Sequence, residues 1–229
     1  MSGQERRAAG AEHAPDPAGG SGSQRVGWLE SLSVYASRRM ALVLALGFSS
    51  GLPLALTLST LNAWLFEAKV SLEAIGLFAM VGLPYSLKFA WAPLIDQLRI
   101  PWLTGRLGRR RSWALVAQAG LMLSIVGMGL NDPARLPVLT AAFAVAIAFF
   151  SASQDIVIDA LRVELLSARE QGAGAATLVL GYRLGMLASG AGALYLASVL
   201  AWGVVYLVMA VLVLLGTVAV LLSREPAVA

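Results

Sequence analysis

Residues 202–222 read WGVVYLVMAVLVLLGTVAVLL, an apolar run without a charged side chain. A helix needs about 20 such residues to cross roughly 30 Å of hydrocarbon, and this run meets that length. Comparable runs fill most of the chain, which is 58% hydrophobic and 13% charged with a mean hydropathy of +0.75. The runs are continuous rather than alternating with a period of two, so they predict an all-α integral membrane protein.

Six apolar runs predict six membrane-spanning helices in one bundle. Their approximate bounds are 42–65, 74–95, 112–130, 136–161, 172–197 and 202–222. Residues 1–38 are rich in Ala, Gly, Ser, Pro and charge, which predicts a disordered cytosolic tail before a bundle over 39–229. A short interfacial helix is expected around residues 28–35, with Trp28 as its anchor.

The positions of lysine and arginine predict the topology. One set of gaps between the spans holds thirteen of these residues, and the other set holds only Lys69 and Arg135. The richer set is Arg6, Arg7, Arg25, Arg38, Arg39, Arg99, Arg106, Arg109, Arg110, Arg111, Arg162, Arg169 and Arg224. Because cytoplasmic loops carry the positive excess, both termini are expected in the cytoplasm.

Composition excludes several classes of function. The chain has no cysteine and a single histidine, His13 in the polar tail. Disulfides and thiolate metal sites are therefore impossible, and most nucleophilic or metal-hydrolase chemistry is disfavoured. The pI near 9.8 comes from arginines between apolar runs, which indicates topology rather than nucleic-acid binding. The chain is expected to be neither an enzyme nor a cofactor protein.

Small residues form a stripe along each of two spans. The stripes are Gly47, Gly51, Ala55 and Ser59 in the first span and Gly181, Gly185, Ser189 and Ala193 in the fifth. Four-residue spacing puts each set on one helix face, where small side chains let helix backbones approach closely in a membrane. The stripes predict close packing, and alternatively seams along which helices rock.

Five polar side chains interrupt the apolar runs: Lys88, Gln154, Asp155, Asp159 and Arg183. An ionised side chain at the centre of a membrane helix costs at least about 2.5 kcal/mol, so such residues mark substrate or ion pathways. The sequence therefore predicts a transporter, with Asp155 as a carrier of protons or a binder of substrate. A purely structural ion pair is the equal alternative for Asp155.

Depth along the helices suggests how these charges meet. Asp155 lies roughly 9 Å and Lys88 about 10 Å from the cytoplasmic end at 1.5 Å per residue, so the two are expected to pair. Asp159 shares a helix face with Asp155 but lies near the edge, where it is expected to hold Arg162 or the arginine cluster. Arg183 is expected near the midplane, where a fixed positive charge suits an anionic substrate.

Two tyrosines are predicted to lie in mid-span. Tyr85 belongs to GLPYSL and Tyr182 to VLGYRL, and each is expected to hydrogen-bond or stack on a sugar. The likeness of the two segments predicts an inverted repeat of three plus three spans.

The loop between the second and third spans carries a candidate cytoplasmic gate. Asp96 ends one helix, and Gly108 with Arg109, Arg110 and Arg111 begins the next. An acidic side chain beside a cationic cluster can link helix ends as a latch. The simpler alternative is that the arginines only set topology.

These segments together resemble the major facilitator superfamily, and within it the AmpG-type muropeptide permeases. The resemblance extends over about residues 38–222. The motifs that carry it are GFSSGLPLAL (47–56), KFAWAPLID (88–96), GRRRSW (108–113), SASQDIVIDA (151–160), GAGAA (172–176) and GYRLGML (181–187).

The resemblance implies proton-driven import of peptidoglycan fragments through the bacterial inner membrane for cell-wall recycling. It also implies that spans one and four line the cavity, that spans two and five face a second half, and that spans three and six face lipid. One departure is that eleven residues separate Asp96 from Gly108, where the superfamily keeps them closer.

The six spans correspond to the N-terminal half of such a permease. The second half is expected from a separate chain or a homodimer, unless the chain is a truncated, non-transporting membrane subunit. A transporter of another solute, such as a sugar derivative, a peptide or an acyl-CoA, is the other alternative. A membrane-embedded aspartyl enzyme is a more distant one, because Asp155 and Asp159 lie on one helix.

Overall fold

The computed structural model describes residues 35–71 and 76–223. All regular structure in these ranges is helical. The α-helices are α1 (Arg38–Glu67), α2 (Leu83–Leu87), α3 (Ala92–Gln97), α4 (Leu103–Leu107), α5 (Arg109–Gly129), α6 (Pro137–Leu165), α7 (Gln171–Ala197) and α8 (Trp202–Leu222). Two of them contain a π-helical turn, Leu56–Thr60 in α1 and Ala188–Gly192 in α7.

Five helices, α1 and α5 to α8, are long and apolar enough to cross a membrane. They match the first, third, fourth, fifth and sixth predicted spans to within a few residues. The predicted tail over 1–38, including the helix at 28–35, lies almost wholly outside the described residues.

The second predicted span, 74–95, is not one continuous α-helix. It consists of a 3₁₀ segment Gly76–Gly82, then α2, a 3₁₀ turn Lys88–Ala90, and α3. Pro84 and Pro93 contribute, because proline lacks the amide hydrogen that the helical ladder requires. Six continuous spans are therefore not confirmed among the described residues, and five are.

The two small-residue stripes pack against each other. A Cβ added to Gly47 or Gly51 would collide with backbone carbonyls of α7, at Leu178 and Tyr182. A Cβ added to Gly181 or Gly185 would collide with the carbonyls of Leu44 and Phe48 on α1. The predicted close packing is confirmed, and it is a contact between the two stripes.

The seam continues through the two π turns. The Thr60 hydroxyl on α1 donates to the carbonyl of Ser189 on α7. A Cβ at Gly190 would lie 3.6 Å from Ala55 Cβ, which is ordinary van der Waals contact. Within α1, the Thr57 hydroxyl donates to the carbonyl of Pro53 at 2.8 Å. The π turns therefore keep α1 and α7 in contact where Pro53 interrupts regular helix.

Aromatic rings fill the opposite side of the bundle. Phe150 and Phe143 of α6 lie against Gly120 and Gly127 of α5, where a Cβ would overlap each ring. Tyr206 of α8 is fully buried, and its ring lies 5.0 Å from that of Trp64, centroid to centroid. α5, α6 and α8 thus form a rigid block against which α1 packs.

The seam predicts a strong effect of one methyl group. Gly51→Ala should lower the free energy of unfolding by about 1–3 kcal/mol, because overpacking forces the helices apart. The measurement is thermal unfolding of the purified protein in detergent. Gly172→Ala, on α7 but with nothing near the added Cβ, is the matched control. Equal melting temperatures for the two variants would show that the seam does not limit stability.

Candidate functional site

A cavity of about 260 Å³ lies between α1, α6, α7 and the broken segment at residues 76–97. Its wall combines one cationic, two acidic and two hydroxyl side chains with apolar ones. The lining residues are Ser50, Lys88, Asp155, Ile158, Asp159, Leu178 and Tyr182. Three of the predicted pathway residues, Lys88, Asp155 and Tyr182, therefore share one cavity.

Asp155 contributes a buried carboxylate oxygen to this site. Its Oδ1 is buried and accepts no hydrogen bond from the described residues. The hydroxyl of Ser50 on α1 is a hydrogen-bond neighbour of the carboxylate. Asp159 follows one turn later on α6, so both carboxylates face the cavity. An incompletely partnered carboxylate can exchange a proton or bind a cationic group there.

Lys88 faces Asp155 across the cavity and contributes an attractive charge to it. The predicted direct ion pair is not formed among the described residues. Lys88 belongs to the 3₁₀ turn Lys88–Ala90, so its side chain leaves the backbone at a different angle from that in a continuous helix. The two opposite charges therefore remain available to a ligand between them.

Both predicted tyrosines lie near this carboxylate. Tyr182 lines the cavity and is in electrostatic range of Asp155. The Tyr85 hydroxyl is buried beside the side chains of Ser151 and Thr57, also in electrostatic range of Asp155. The fold therefore brings the two tyrosines to one acidic group, although their segments are far apart in the sequence.

Two predicted pathway residues, Gln154 and Arg183, are not part of this cavity wall. Gln154 is fully buried between helices, and its Nε2 donates to Ser49 Oγ at 3.4 Å. Arg183 is exposed on α7. Each directly adjoins a cavity residue, and neighbouring residues on one helix point about 100° apart. Asp159 lines the cavity and forms no ion pair with Arg162 or the arginine cluster in the described part of the chain.

Two further polar residues, Ser50 and Glu164, were not predicted from the sequence patterns. Ser50 contributes a hydroxyl to the cavity from the first stripe-bearing helix. Its signal was the Ser-Ser pair before Gly51 in an otherwise apolar run. Glu164 binds the arginine cluster in the place expected for Asp159, and it lies five residues further along α6.

The arginine cluster links several helix ends. Arg110 of α5 forms ion pairs with Asp96 of α3 and with Glu164 of α6, the latter at 3.1 Å. Arg111 donates to the carbonyls of Val220 and Leu221 at the end of α8, at 3.1 and 2.8 Å. The expected contact between Asp96 and the cluster is therefore present, through Arg110.

Gly108 starts the cluster in a conformation that suits glycine. Its φ of 87° lies in the left-handed region, which side chains with a Cβ disfavour. This turn lets the chain leave α4 and enter α5 at once.

A separate ion pair joins the start of α1 to the turn between α6 and α7. Arg39 and Glu170 form an ion pair at 3.2 Å. Hydrogen bonds from the Ser167 N–H and hydroxyl hold the pKa of the Glu170 carboxyl below its usual value. In the described ranges, no group of three or more Asp, Glu and His side chains is arranged to hold a metal ion.

Comparison with known proteins gives one family. Residues 39–201 match the family described as acetyl-coenzyme A transporter 1. The chain is 48% identical over 196 residues to the "Anhydromuropeptide permease" of Escherichia coli (strain K12), covering 85% of this chain and 39% of that protein. It is 34% identical over 194 residues to "Putative transporter AmpG 4" of Rickettsia felis, covering 84% and 47%. A third relative is "Putative transporter AmpG 3" of Rickettsia prowazekii, 38% identical over 185 residues, covering 80% and 44%.

The chain thus spans less than half the length of these curated relatives. Their names are those of transport proteins, which agrees with the prediction that the family is not one of enzymes. With five apolar helices among the described residues and relatives named as transporters, this is a multi-pass membrane protein. The AmpG likeness agrees with the resemblance that the sequence motifs predicted, and the family match shows that the chain belongs to the family described as acetyl-coenzyme A transporter 1.

Proposed function

We propose that this chain is the N-terminal half of a proton-coupled transporter that imports peptidoglycan-derived muropeptides across the bacterial inner membrane for cell-wall recycling. The observation that carries the proposal is the buried, incompletely partnered carboxylate of Asp155 in a cavity with Lys88. The names of the relatives supply the substrate class. The cavity supplies the groups that such a substrate and a proton require.

Charge balance in the cavity gives a coupling mechanism. When Asp155 is ionised, its negative charge attracts the Lys88 ammonium. A proton bound at Asp155 removes that attraction, so the ammonium can bind an anionic group of the substrate instead. Loss of the proton on the cytoplasmic side restores the attraction and favours release. In this scheme the proton gradient drives uptake because proton and substrate binding favour each other.

The cavity wall suits the chemistry of a muropeptide. Peptide carboxylates match Lys88, and sugar hydroxyls match the hydroxyls of Ser50 and Tyr182. Aromatic rings also stack on the apolar faces of sugars. Arg183, exposed on α7, is assigned to a part of the binding site completed by the second half.

The missing half of the cavity comes from a second six-helix unit. Less than a third of the apolar window of α7 is buried, 28%, against 61% for α1. The exposed residues of α7 include Val179, Leu180, Leu184 and Leu187, between 43% and 61% accessible. We assign this face and the broken segment to contact with a second six-helix half or with a second copy of this chain.

The proposal also includes the number of spans and their orientation in the membrane. The broken segment counts as the second span, which gives six spans, an inverted three-plus-three repeat and cytoplasmic termini. The arginine-rich loops support this orientation. The contacts of Arg110 with Asp96 and Glu164 then lie on the cytoplasmic side. We assign them to a latch that holds α3, α5 and α6 together while the cavity faces outward.

The family model favours one alternative substrate. Because its description names acetyl-coenzyme A, an acyl-CoA remains the second candidate solute, and its phosphates also suit Lys88. A membrane subunit without transport activity is the remaining alternative.

Complementation is the test of the function. A bacterium that lacks its muropeptide permease should take up labelled muropeptide when this chain is expressed with a second half, and excess unlabelled muropeptide should compete. The same assay with the chain alone tests the homodimer. Competition by acyl-CoA but not by muropeptide would show that the substrate is an acyl-CoA rather than a muropeptide. Membrane insertion without uptake in any combination would favour the non-transporting subunit.

The coupling role of Asp155 predicts a specific loss. Asp155→Asn should abolish uphill uptake driven by a proton gradient, because the amide cannot take up and release a proton, while insertion stays intact. Uptake into vesicles with an imposed pH gradient measures this. Asp132→Asn is the matched control, since Asp132 pairs locally with Arg135 in a turn outside the cavity. Unchanged gradient-driven accumulation in Asp155→Asn would rule out proton coupling through this residue.

The latch predicts a change in access to the cavity. The chain has no native cysteine, so Ser50→Cys gives a single thiol in the cavity wall. Adding Arg110→Ala should increase its labelling several-fold by an impermeant maleimide from the cytoplasmic side of inside-out vesicles. Arg135→Ala, at an exposed turn, is the control. Equal labelling in both backgrounds would leave the arginine cluster with a topological role only.

A further inference from the structure

Four helices meet around a buried polar cluster that the cavity does not include. The cluster consists of Ser49 of α1, Gln118 of α5 and Gln154 of α6, and all three side chains are fully buried. Gly216 of α8 lies against Ser49 and Gln118. Two carboxamides and a hydroxyl are thus enclosed within otherwise apolar helices.

Their hydrogen-bonding capacity is mostly unused. Gln154 Nε2 donates to Ser49 Oγ at 3.4 Å, which is long for a hydrogen bond. Gln154 Oε1 and both amide atoms of Gln118 have no partner among the described residues. Leaving a buried polar group unsatisfied costs about 1–3 kcal/mol, and a bilayer supplies no water from the lipid side to relieve it. Such groups need a common partner.

Gly216 shows that these polar atoms converge. A Cβ added to residue 216 would overlap Ser49 Oγ and would lie 2.8 Å from Gln118 Nε2. Atoms from α1 and α5 therefore approach the same point from two sides. Any side chain at position 216 would collide with Ser49, so glycine is what allows α8 to pack against this cluster.

We propose that Ser49, Gln118 and Gln154 bind one ordered water molecule that bridges α1, α5 and α6. Buried water typically makes about three hydrogen bonds to groups that otherwise lack partners. The water can donate to Gln118 Oε1 and Gln154 Oε1 and accept from Gln118 Nε2 and from the Ser49 hydroxyl, which joins all three helices. The cluster has no net charge, which suits a neutral ligand rather than a cation.

The water site makes Gln118 a positioning residue for Asp155, and this consequence rests on the proposed function. Gln154 directly precedes Asp155 on α6. Holding the Gln154 carboxamide fixes the rotation of α6, and hence the direction in which Asp155 faces. Gln118 does so from α5 without touching the cavity.

A double-mutant cycle tests the bridge on the purified protein. Gln118→Met and Gln154→Met each remove one partner, and thermal unfolding in detergent is measured for both single variants and the double variant. A bridging water predicts non-additive shifts in melting temperature. The first substitution already removes the water bridge, so the second substitution should lower the melting temperature by less than it does alone. Additive shifts would overturn the proposal. The cycle of Gln154→Met with Ser124→Ala should be additive, because the Ser124 hydroxyl bonds within its own helix, to Gly120.

Direct pairing of the two amides would also give non-additive shifts, so a structure at a resolution that shows water decides between them. Density within hydrogen-bonding distance of Gln118 and Gln154 is the expected result. The two carboxamides in direct contact, with no density between them, would overturn the water site.

The positioning role has its own readout in the transporter assembled with its second half. The titratable groups that face Asp155 are Lys88, Asp159, Tyr85 and Tyr182. Gln118→Met should shift the pH of half-maximal uptake, whereas Ser124→Ala should not. An unchanged pH profile would overturn the positioning role. Unchanged gradient-driven uptake in Asp155→Asn would instead overturn proton coupling, and the unfolding cycle would still report on the water site.

Discussion

The direct contact between the backbones of α1 and α7 is the constraint on which the rest of the structure depends. Lipid tails are as apolar as leucine, so helices in a bilayer gain little from burying apolar side chains and must instead pack closely. Gly51 and Gly185 permit this by leaving room for carbonyl groups of the opposite helix. The approach places Ser50 and Tyr182 in one cavity wall. A functional site therefore arises beside a seam whose own residues carry no chemistry.

The polar side chains of the bundle fall into two groups. In the first, a hydroxyl bonds to a carbonyl one turn earlier on its own helix, as Thr57, Ser124 and Ser189 do. The hydrogen bonds of these hydroxyl groups are made within their own helix, so they need no partner on a neighbouring helix. In the second, Asp155 and Gln118 retain buried atoms without partners. Because unsatisfied polar groups are expensive in a membrane, the second group is where binding chemistry is to be expected.

Sequence patterns predicted the elements better than the directions of side chains. Uninterrupted apolar length was enough for five helices, and the four-residue spacing of glycines was enough for the seam. The second span is not confirmed as a continuous helix, because Pro84 and Pro93 remove hydrogen bonds and the length of an apolar run does not reveal that. Gln154 was placed on the pathway, yet it points into the bundle. Gln118 carried the same signal as Gln154, a polar residue in an apolar run, but it lacks the adjacent charged residue that drew attention to Gln154.

The least regular parts of the bundle surround the cavity, and this follows from what an alternating site requires. A wall of continuous, fully packed helices has one arrangement, since close-packed interiors resist small deformations. Here Lys88 lies on a 3₁₀ turn between two short helices, and α7 is the least buried of the long helices. α5, α6 and α8 form the rigid block, and Asp155 projects from that block toward the irregular side. Movement of the broken segment would therefore alter the distance between Lys88 and Asp155 while the carboxylate stays fixed. Such a movement would change how strongly the Lys88 ammonium stabilises the ionised form of Asp155.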